Sequence, residues 1–223
     1  MMQKSDIVEA SALVKAVLAL LATSAATGGV LGANLTKSIS EVNVNASQLI
    51  ADAAIGSPLK ACFDAAFDAA ITVEKVRSIR TSISGMLARS NIAEIVRIAC
   101  WRVALTTECR CLVRMSFGSR KEIDAHLLAM NAAFDEAEEL AGDTLHSELF
   151  MRFISLRGAV MRDLTERSRP LPSMMALTFP KSLPSLALAH RLYGDAGRAD
   201  ELIAENSVLH PGFMPRKITA LVN

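Results

Sequence analysis

The chain has 223 residues, enough for one sizeable core, or for one domain with a small appendage, but not for two ordinary domains. Hydrophobic residues make up 51% of the sequence and aromatic residues only 4%, so the apolar content is mostly aliphatic and argues against an all-β fold. With 24 basic and 23 acidic residues the formal charge is +1, which supplies no net field for binding nucleic acid.

The balance of apolar and charged residues bears on the state of assembly. The mean hydropathy is +0.31 and 21% of the residues are charged. This balance indicates more apolar surface than a free monomer can bury in its own core. We therefore expect an oligomer or a subunit of a larger assembly.

The four cysteines form no CxxC pair, and two of them, Cys109 and Cys111, would stand about 200° apart on a helix. The set predicts reduced, mostly buried thiols, and neither a metal site nor a disulfide scaffold. No cofactor is predicted. The cysteines are Cys62, Cys100, Cys109 and Cys111.

The first predicted helix covers residues 6–27, and no charge occurs between Lys15 and Lys37. That uncharged stretch just reaches the roughly 20 residues that span a bilayer. Because small and polar residues dominate its second half, we expect a helix buried in protein, ended by Gly28, Gly29 and Gly32, and no membrane partner.

The next segment, residues 33–56, is mixed and rich in asparagine, and predicts only a short helix over residues 46–55. Ser57 and Pro58 then make a favoured helix start. Apolar residues repeat every fourth position from Leu59 to Ile71, which predicts one continuous helix reaching about Ser84.

A fourth helix is predicted over residues 91–117, opened by Asn91 and Glu94 in capping-box spacing. Apolar residues lie on most of its faces, so it should be the most buried helix. Trp101, the only tryptophan, lies in its middle.

Two further helices follow. Ser119 and Glu122 form a second capping box, and Gly142 supplies the stop. Asp143 then caps a sixth helix, which ends before Pro170. Its apolar stripe is Leu145, Leu149, Phe153, Leu156, Val160 and Leu164.

Six of the seven prolines crowd into the tail, which marks a boundary after residue 169. The tail is predicted to contain a strand over 174–179, helices over 184–192 and 199–205, and a strand over 218–222. The order of these elements is β-α-α-β. Its small core is predicted from Leu186, Leu192, Tyr193, Leu202, Ile203, Phe213 and Ile218.

The predicted fold class is mainly α: a helical bundle or stacked long helices followed by a small C-terminal βααβ module. Residues 1–56 form an N-terminal helix and a connection rich in glycine and asparagine, residues 57–170 the helical body, and residues 171–223 the module. Short connections between long helices force neighbours to run antiparallel.

Four tail segments carry the most distinctive sequence of the chain. They are Ser182-Leu183-Pro184-Ser185-Leu186-Ala187, Arg191-Leu192-Tyr193-Gly194-Asp195, residues 198–206 (RADELIAEN) and His210-Pro211-Gly212-Phe213-Met214-Pro215. They resemble the last part of the Mu-type phage "DNA circularisation" proteins, over residues 176–223 and more loosely back to about residue 91. Those are tail and baseplate proteins of contractile-tailed phages, and their last segment is similar to a LysM module.

The resemblance implies a non-enzymatic structural component of a contractile tail, in the baseplate or hub of the virion and made in the host cytoplasm. Its partners would be other tail and baseplate proteins and copies of itself in a ring, with no small-molecule substrate. The module is expected to dock on a protein through Arg191, Tyr193, Asp195, Arg198, Asp200, Glu201, Asn206 and His210. No catalytic residue is predicted, because no histidine has a companion at a spacing that defines a site.

Two other functions stay open. A LysM-type module could bind peptidoglycan at the tail tip, although glycan-binding modules usually begin with a Gly-Asp-Thr-Leu-like turn and end their last loop in Pro-Gly. This chain has Lys181-Ser182-Leu183-Pro184 and Pro215-Arg216 there. DNA binding during genome circularisation conflicts with the near-zero net charge. Family members usually carry a strand-rich N-terminal domain, which we expect to be missing or on another polypeptide.

Overall fold

A computed structural model describes residues 3–25, 28–143, 147–171 and 173–222. Within these residues the chain is mainly helical, with a small two-stranded antiparallel sheet at the C-terminus, as the sequence predicts. The helices are α1 (Lys4–Ser24), α2 (Gly29–Ala51), α3 (Gly56–Asp68), α4 (Val73–Ser84), α5 (Asn91–Arg114), α6 (Arg120–Asp143), α7 (Ser147–Ser168), α8 (Ser185–Tyr193) and α9 (Ala199–Glu205). The strands are β1 (Ser173–Thr178) and β2 (Lys217–Val222), and a 3-10 turn over Ala196–Arg198 joins α8 to α9.

The chain divides into two compact units. The first contains residues 1–116 and 135–150, and the second contains residues 117–134 and 151–223. In the first unit α5 packs against α1, α3 and α4, and α2 packs between α1 and α3. The second unit contains the start of α6, most of α7 and the segment with the sheet.

Helix α5 is the centre of the first unit. Twelve of its residues are buried, and Trp101 is fully buried, as predicted. The helix begins at Asn91, as predicted, and ends at Arg114, three residues before the predicted end, but the predicted cap is wrong, because the Ser90 hydroxyl accepts the Ala93 N–H at 3.2 Å and caps the helix. Glu94 instead pairs with Arg97 one turn along.

Residues 29–51 form one long helix, α2, where the sequence predicts a mixed connection and a short helix over 46–55. The predicted glycine stop of the first helix is wrong, because α1 ends at Ser24 with Ala25 as its C-cap. Gly28 has an extended backbone and is the N-cap of α2, which contains Gly29 and Gly32. Apolar residues at helical spacing supply the buried face that stabilises it against α1 and α3. They are Leu35, Ile39, Val42, Ala46 and Ile50.

The single helix predicted from Ser57 to Ser84 is two helices, α3 and α4. Ala70 adopts a left-handed conformation with φ of 57°, and the N–H of Ile71 donates to Ala66 at 3.1 Å, which is a Schellman stop. Thr72 then caps α4 through its hydroxyl. The break turns α4 so that it packs along α5.

The predicted capping box of α6 is confirmed. The Ser119 hydroxyl accepts the Glu122 N–H at 3.4 Å, and the Glu122 carboxylate accepts the Gly118 N–H at 3.0 Å. Gly142 does not stop the helix, which runs to Asp143, so Asp143 ends α6 instead of capping the next helix.

Helix α7 carries the predicted stripe on its buried face, at Phe153, Val160 and Leu164, while Leu145 lies outside the described residues. Contacts between the start of α6 and the end of α7 hold the second unit together. The Arg157 guanidinium donates to Asn131 at 3.0 Å, and Arg167 lies over the Phe117 ring at 4.7 Å.

The tail follows the predicted order, strand, helix, helix, strand. Strand β1 pairs antiparallel with β2, with Ser173 opposite Val222 and Thr178 opposite Lys217. Helices α8 and α9 pack together, and the buried core is Leu188, Ala189, Ala199, Leu202, Met214, Ile218 and Ala220. We call residues 173–222 the C-terminal module.

The predicted module core is right for Leu202 and Ile218, and Leu192, Tyr193 and Ile203 pack against it partly buried. It is wrong for Leu186 and Phe213, which are 60% and 74% exposed. Helix α8 buries Ser185, Leu188 and Ala189, which leaves Leu186 on the opposite side.

Among the described helices, α1 alone is long and apolar enough to cross a membrane. The mean hydropathy of its most apolar stretch of 18 residues is 1.8. In this structure 39% of that stretch is buried inside the protein. The buried residues face a helical core, since α1 packs against α2, α4 and α5.

Candidate functional site

The predicted contact residues lie in the C-terminal module, where a stack of three of them closes the end of α8. The Arg198 guanidinium lies 3.9 Å from the Tyr193 ring and donates to both carboxylate oxygens of Glu201, at 2.9 and 2.8 Å. The hydrogen bonds that Arg198 donates to Glu201 raise the pKa of Arg198, and desolvation raises the pKa of Tyr193. Arg198 and Glu201 satisfy each other, so this pair shapes the module before it meets any partner.

The turn after α8 uses two further predicted residues. Gly194 adopts a left-handed conformation with φ of 70°, and its N–H donates to His190 at 2.9 Å. The Asp195 carboxylate accepts the Gly197 N–H at 2.8 Å and caps the 3-10 turn. One carboxylate oxygen of Asp195 therefore stabilises the turn.

Asn206 joins α9 to the sheet. Its side-chain amide donates to the carbonyls of Leu202 and Thr219, both at 2.8 Å, and its oxygen accepts the Thr219 N–H at 2.7 Å. The side chain of Asn206 therefore stabilises the end of the helix. Asn206 itself has a φ of −102°, and Ser207 takes the left-handed conformation with φ of 49°.

Four of the predicted residues are exposed at the surface: Arg191, Asp195, Asp200 and His210. Arg191 lies 5.8 Å from the Phe179 ring, and the His210 ring lies 5.5 Å from the ring of Phe213. The predicted set is thus split between a structural group and these surface groups, and it does not form one cluster.

The sequence analysis missed the most exposed apolar residues of the module. Leu209 is fully exposed, and Leu186 and Phe213 are more than half exposed. Large apolar residues in a loop rich in proline and glycine are the signal that could have found them, because such a loop has little core to bury them.

The first unit holds an apolar cleft of about 310 Å³ where α3 turns into α4. Phe67, Ile71, Cys111 and Met115 contribute to its walls, and the Arg114 guanidinium stacks 3.4 Å from the Phe67 ring. Burial raises the pKa of the Cys111 thiol to about 11, so this sulfur is not a nucleophile near neutral pH.

All four cysteines are free and buried, as the sequence predicts. Burial raises the pKa of Cys62 to about 11 and those of Cys100 and Cys109 to about 12. Across the described residues no group of three or more histidine, cysteine or acidic side chains is placed to hold a metal ion.

A buried ion-pair network crosses from α4 to α5. Glu108 is fully buried and accepts from the Nε atoms of Arg77 and Arg80, each at 2.8 Å. Arg80 also lies 5.7 Å from the Trp101 ring and 3.8 Å from Glu136. Both carboxylate oxygens of Glu108 accept from an arginine of α4, so the network links α4 to α5.

The chain matches no protein-family model and no curated protein at a significant level. Its function therefore has to be argued from its own residues.

Proposed function

We propose that the chain is a structural component of a contractile phage tail, in the baseplate or hub, and that its C-terminal module is LysM-like and docks on protein partners. The observation that supports the proposal is the position, in the fold, of the four segments that resemble the phage proteins. They form the entry to α8, the end of α8 with its turn, helix α9, and the loop that returns to β2. The four segments thus lie between the two strands of the C-terminal module.

The proposed role is geometric. The helical body would fix the spacing between the tube or hub and the surrounding proteins, and the module would supply the docking surface. The apolar excess fits a subunit that buries part of its surface in interfaces.

Peptidoglycan binding is the second candidate, and one observation favours it. Phe213 is 74% exposed beside the His210 ring, so an aromatic surface is available for stacking on a sugar. Tyr193 is covered by Arg198 and does not add to that surface.

Deleting residues 174–223 from the phage-encoded protein tests the proposal. We expect particle assembly to be lost while adsorption of the remaining tail fibres to cells is unchanged. Leu87→Ser is the matched control, because Leu87 is an exposed apolar residue of the first unit. Normal assembly of the deletion would contradict the proposal.

A second measurement separates the two candidates. The full-length chain is sedimented with purified peptidoglycan, and a structural role predicts that it stays in the supernatant. Co-sedimentation with a Kd of about 1 μM, lost in Phe213→Ser, would assign the module to cell-wall binding instead.

A further inference from the structure

Two loops of the C-terminal module leave the same end of its sheet. One loop links β1 to α8, and the other links α9 to β2. Because the strands are antiparallel, with Thr178 opposite Lys217, β1 ends where β2 begins. Residues 179–186 and 206–217 therefore form one surface of the module, which we call the loop face.

Hydrogen bonds join the two loops to each other. The Ser185 N–H donates to Pro211 at 2.8 Å, and the Met214 N–H donates to Leu183 at 3.1 Å. The Ser182 hydroxyl also donates to the Met214 carbonyl, at 2.7 Å. Proline rings restrict the same segments. They are Pro180, Pro184, Pro211 and Pro215. The loop face is thus ordered before it meets a partner, so a contact there costs little conformational entropy.

The loop face presents three apolar side chains to solvent. Leu209 is fully exposed, and Leu186 and Phe213 are 60% and 74% exposed. The buried core of the module is built from other residues, so these three are not needed to hold it together. Their concentration at one end of a small unit indicates a contact surface.

All the formal charges of the loop face are positive. Lys181, Arg216 and Lys217 are exposed, and none of them forms an ion pair with a residue that the structure describes. The sequence has no acidic residue from 171 to 194 or from 206 to 223. The acidic residues of the module lie instead on the α8–α9 turn and on α9. An apolar surface bordered only by cations matches a partner that is both apolar and anionic.

We propose that the loop face docks on the surface of an anionic lipid bilayer. Leu186, Leu209 and Phe213 enter the boundary between headgroups and acyl chains, and the three cations face the lipid phosphates. Interfacial binding of this kind gains strength from the apolar area that is buried and from attraction to anionic lipids. A bilayer offers both over a continuous plane, so the contact requires no matching pattern of side chains.

This inference goes beyond the proposed function and does not depend on it. The sequence predicts no membrane partner because the uncharged stretch of α1 is a poor membrane span, whereas the loop face lies on a bilayer without crossing it. Vesicle binding is measured on the purified chain and assembly on particles, so the failure of one proposal leaves the other standing.

Co-sedimentation of the full-length chain with lipid vesicles tests the docking. The probes are vesicles of phosphatidylcholine alone and of phosphatidylcholine with about 30 mol% phosphatidylglycerol. We expect the chain to sediment with the anionic vesicles and to stay in the supernatant with the neutral ones. Binding should weaken about tenfold or more when salt rises from about 0.05 M to about 0.5 M, because the lipid charge is then screened.

Two variants remove the charges and an apolar anchor separately. Lys181→Glu with Lys217→Glu should weaken binding to the anionic vesicles about 25-fold or more, since each cation near such a surface contributes about fivefold. Phe213→Ser should weaken it about threefold or more, because less apolar area is buried.

Matched controls carry the same substitutions in the first unit. Lys4→Glu with Lys15→Glu changes the net charge equally, at two exposed lysines of α1. Leu87→Ser removes an exposed leucine. Both controls should bind the anionic vesicles like the wild type. Circular dichroism of every variant establishes that it is folded.

A tryptophan in place of Phe213 measures insertion directly. Wild-type Trp101 is fully buried in the first unit, so its emission is a constant background. In Phe213→Trp, anionic vesicles with brominated acyl chains should quench the additional emission, and they should leave the emission of the wild type unchanged.

A wild-type chain that stays in the supernatant with anionic vesicles at about 1 mM lipid would overturn the proposal, as would equal binding to neutral vesicles. Loss of binding in the α1 control, with the Lys181 and Lys217 variant unaffected, would assign the binding to α1 instead. Self-association of a chain that ignores vesicles, lost in Phe213→Ser, would overturn the proposal in favour of a protein contact.

Discussion

Replacing Glu108 with glutamine tests how far the first unit depends on its buried ion pairs. The Glu108 side chain is fully buried, and the Arg80 side chain that it accepts from is 8% exposed. Glutamine keeps the shape but removes the negative charge, and its oxygen can accept from only one of the two arginines at good geometry. The second guanidinium is then left in the interior without its counter-charge.

The burial of Glu108 determines how much free energy of unfolding we expect the substitution to remove. Removing one partner of a buried ion pair costs about 3 to 5 kcal/mol, because the remaining charge cannot be hydrated. Glu94→Gln is the matched control, since Glu94 makes a similar pair with Arg97 but its side chain is 39% exposed. That pair should contribute at most about 1 kcal/mol.

Urea unfolding followed by the fluorescence of Trp101 measures both losses, because Trp101 is the only tryptophan and lies beside Arg80. Replacing Glu108 together with its more buried partner, Glu108→Leu with Arg80→Met, should lose less stability than Glu108→Leu alone, since only Arg77, whose side chain is 27% exposed, then loses its pair with Glu108. A loss below about 1 kcal/mol for Glu108→Gln, or equal losses at Glu108 and Glu94, would refute the reasoning.

The remaining predictions concern separate features. Trp101→Ala should cost about 3 to 5 kcal/mol in urea unfolding followed by circular dichroism, and a red-shifted, readily quenched emission from wild-type Trp101 would contradict its burial. Asn206→Ala should cost about 1 to 3 kcal/mol and expose the Thr219 amide to hydrogen exchange, whereas Asn45→Ala, which removes one exposed bond, should have little effect. Hydrogen bonds from the Arg89 and Ser90 N–H groups lower the pKa of Glu9 below 4.5, so its contribution is present above that pH and lost as pH falls through the folded-state pKa. The stability difference between wild type and Glu9→Gln should therefore shrink on acidification. Native chain at pH 8 should react slowly with a thiol reagent at all four cysteines, and fast labelling would disprove their burial.

The sequence by itself determined the features that depend on neighbouring residues. The sequence predicts the positions of α1, α5 and α9 closely, and also the order of the strands and helices in the module. The capping box at Ser119 and Glu122 is equally local. Each of these signals acts within a few residues, so the chain can be interpreted without knowing its fold.

The tertiary structure decided what depends on packing between distant residues. α2 is helical along its whole length because α1 and α3 cover its apolar face, although its own glycine and asparagine content argues for a connection. Ala70 is left-handed because the chain must turn there to place α4 along α5. The burial of Glu108 depends on two arginines about 30 positions earlier in the chain, which no local pattern pairs with it.

The same distinction applies to the candidate site. Composition indicated charge-paired docking residues in the tail, but only the folded module determines which charges are already satisfied, as Arg198 and Glu201 are. Leu186 and Phe213 have the composition of core residues, and their exposure follows from which side of α8 and of the last loop faces the sheet. An apolar residue in a short helix or loop has no fixed side until the neighbouring elements are in place, because burial is a property of the packing and not of the residue.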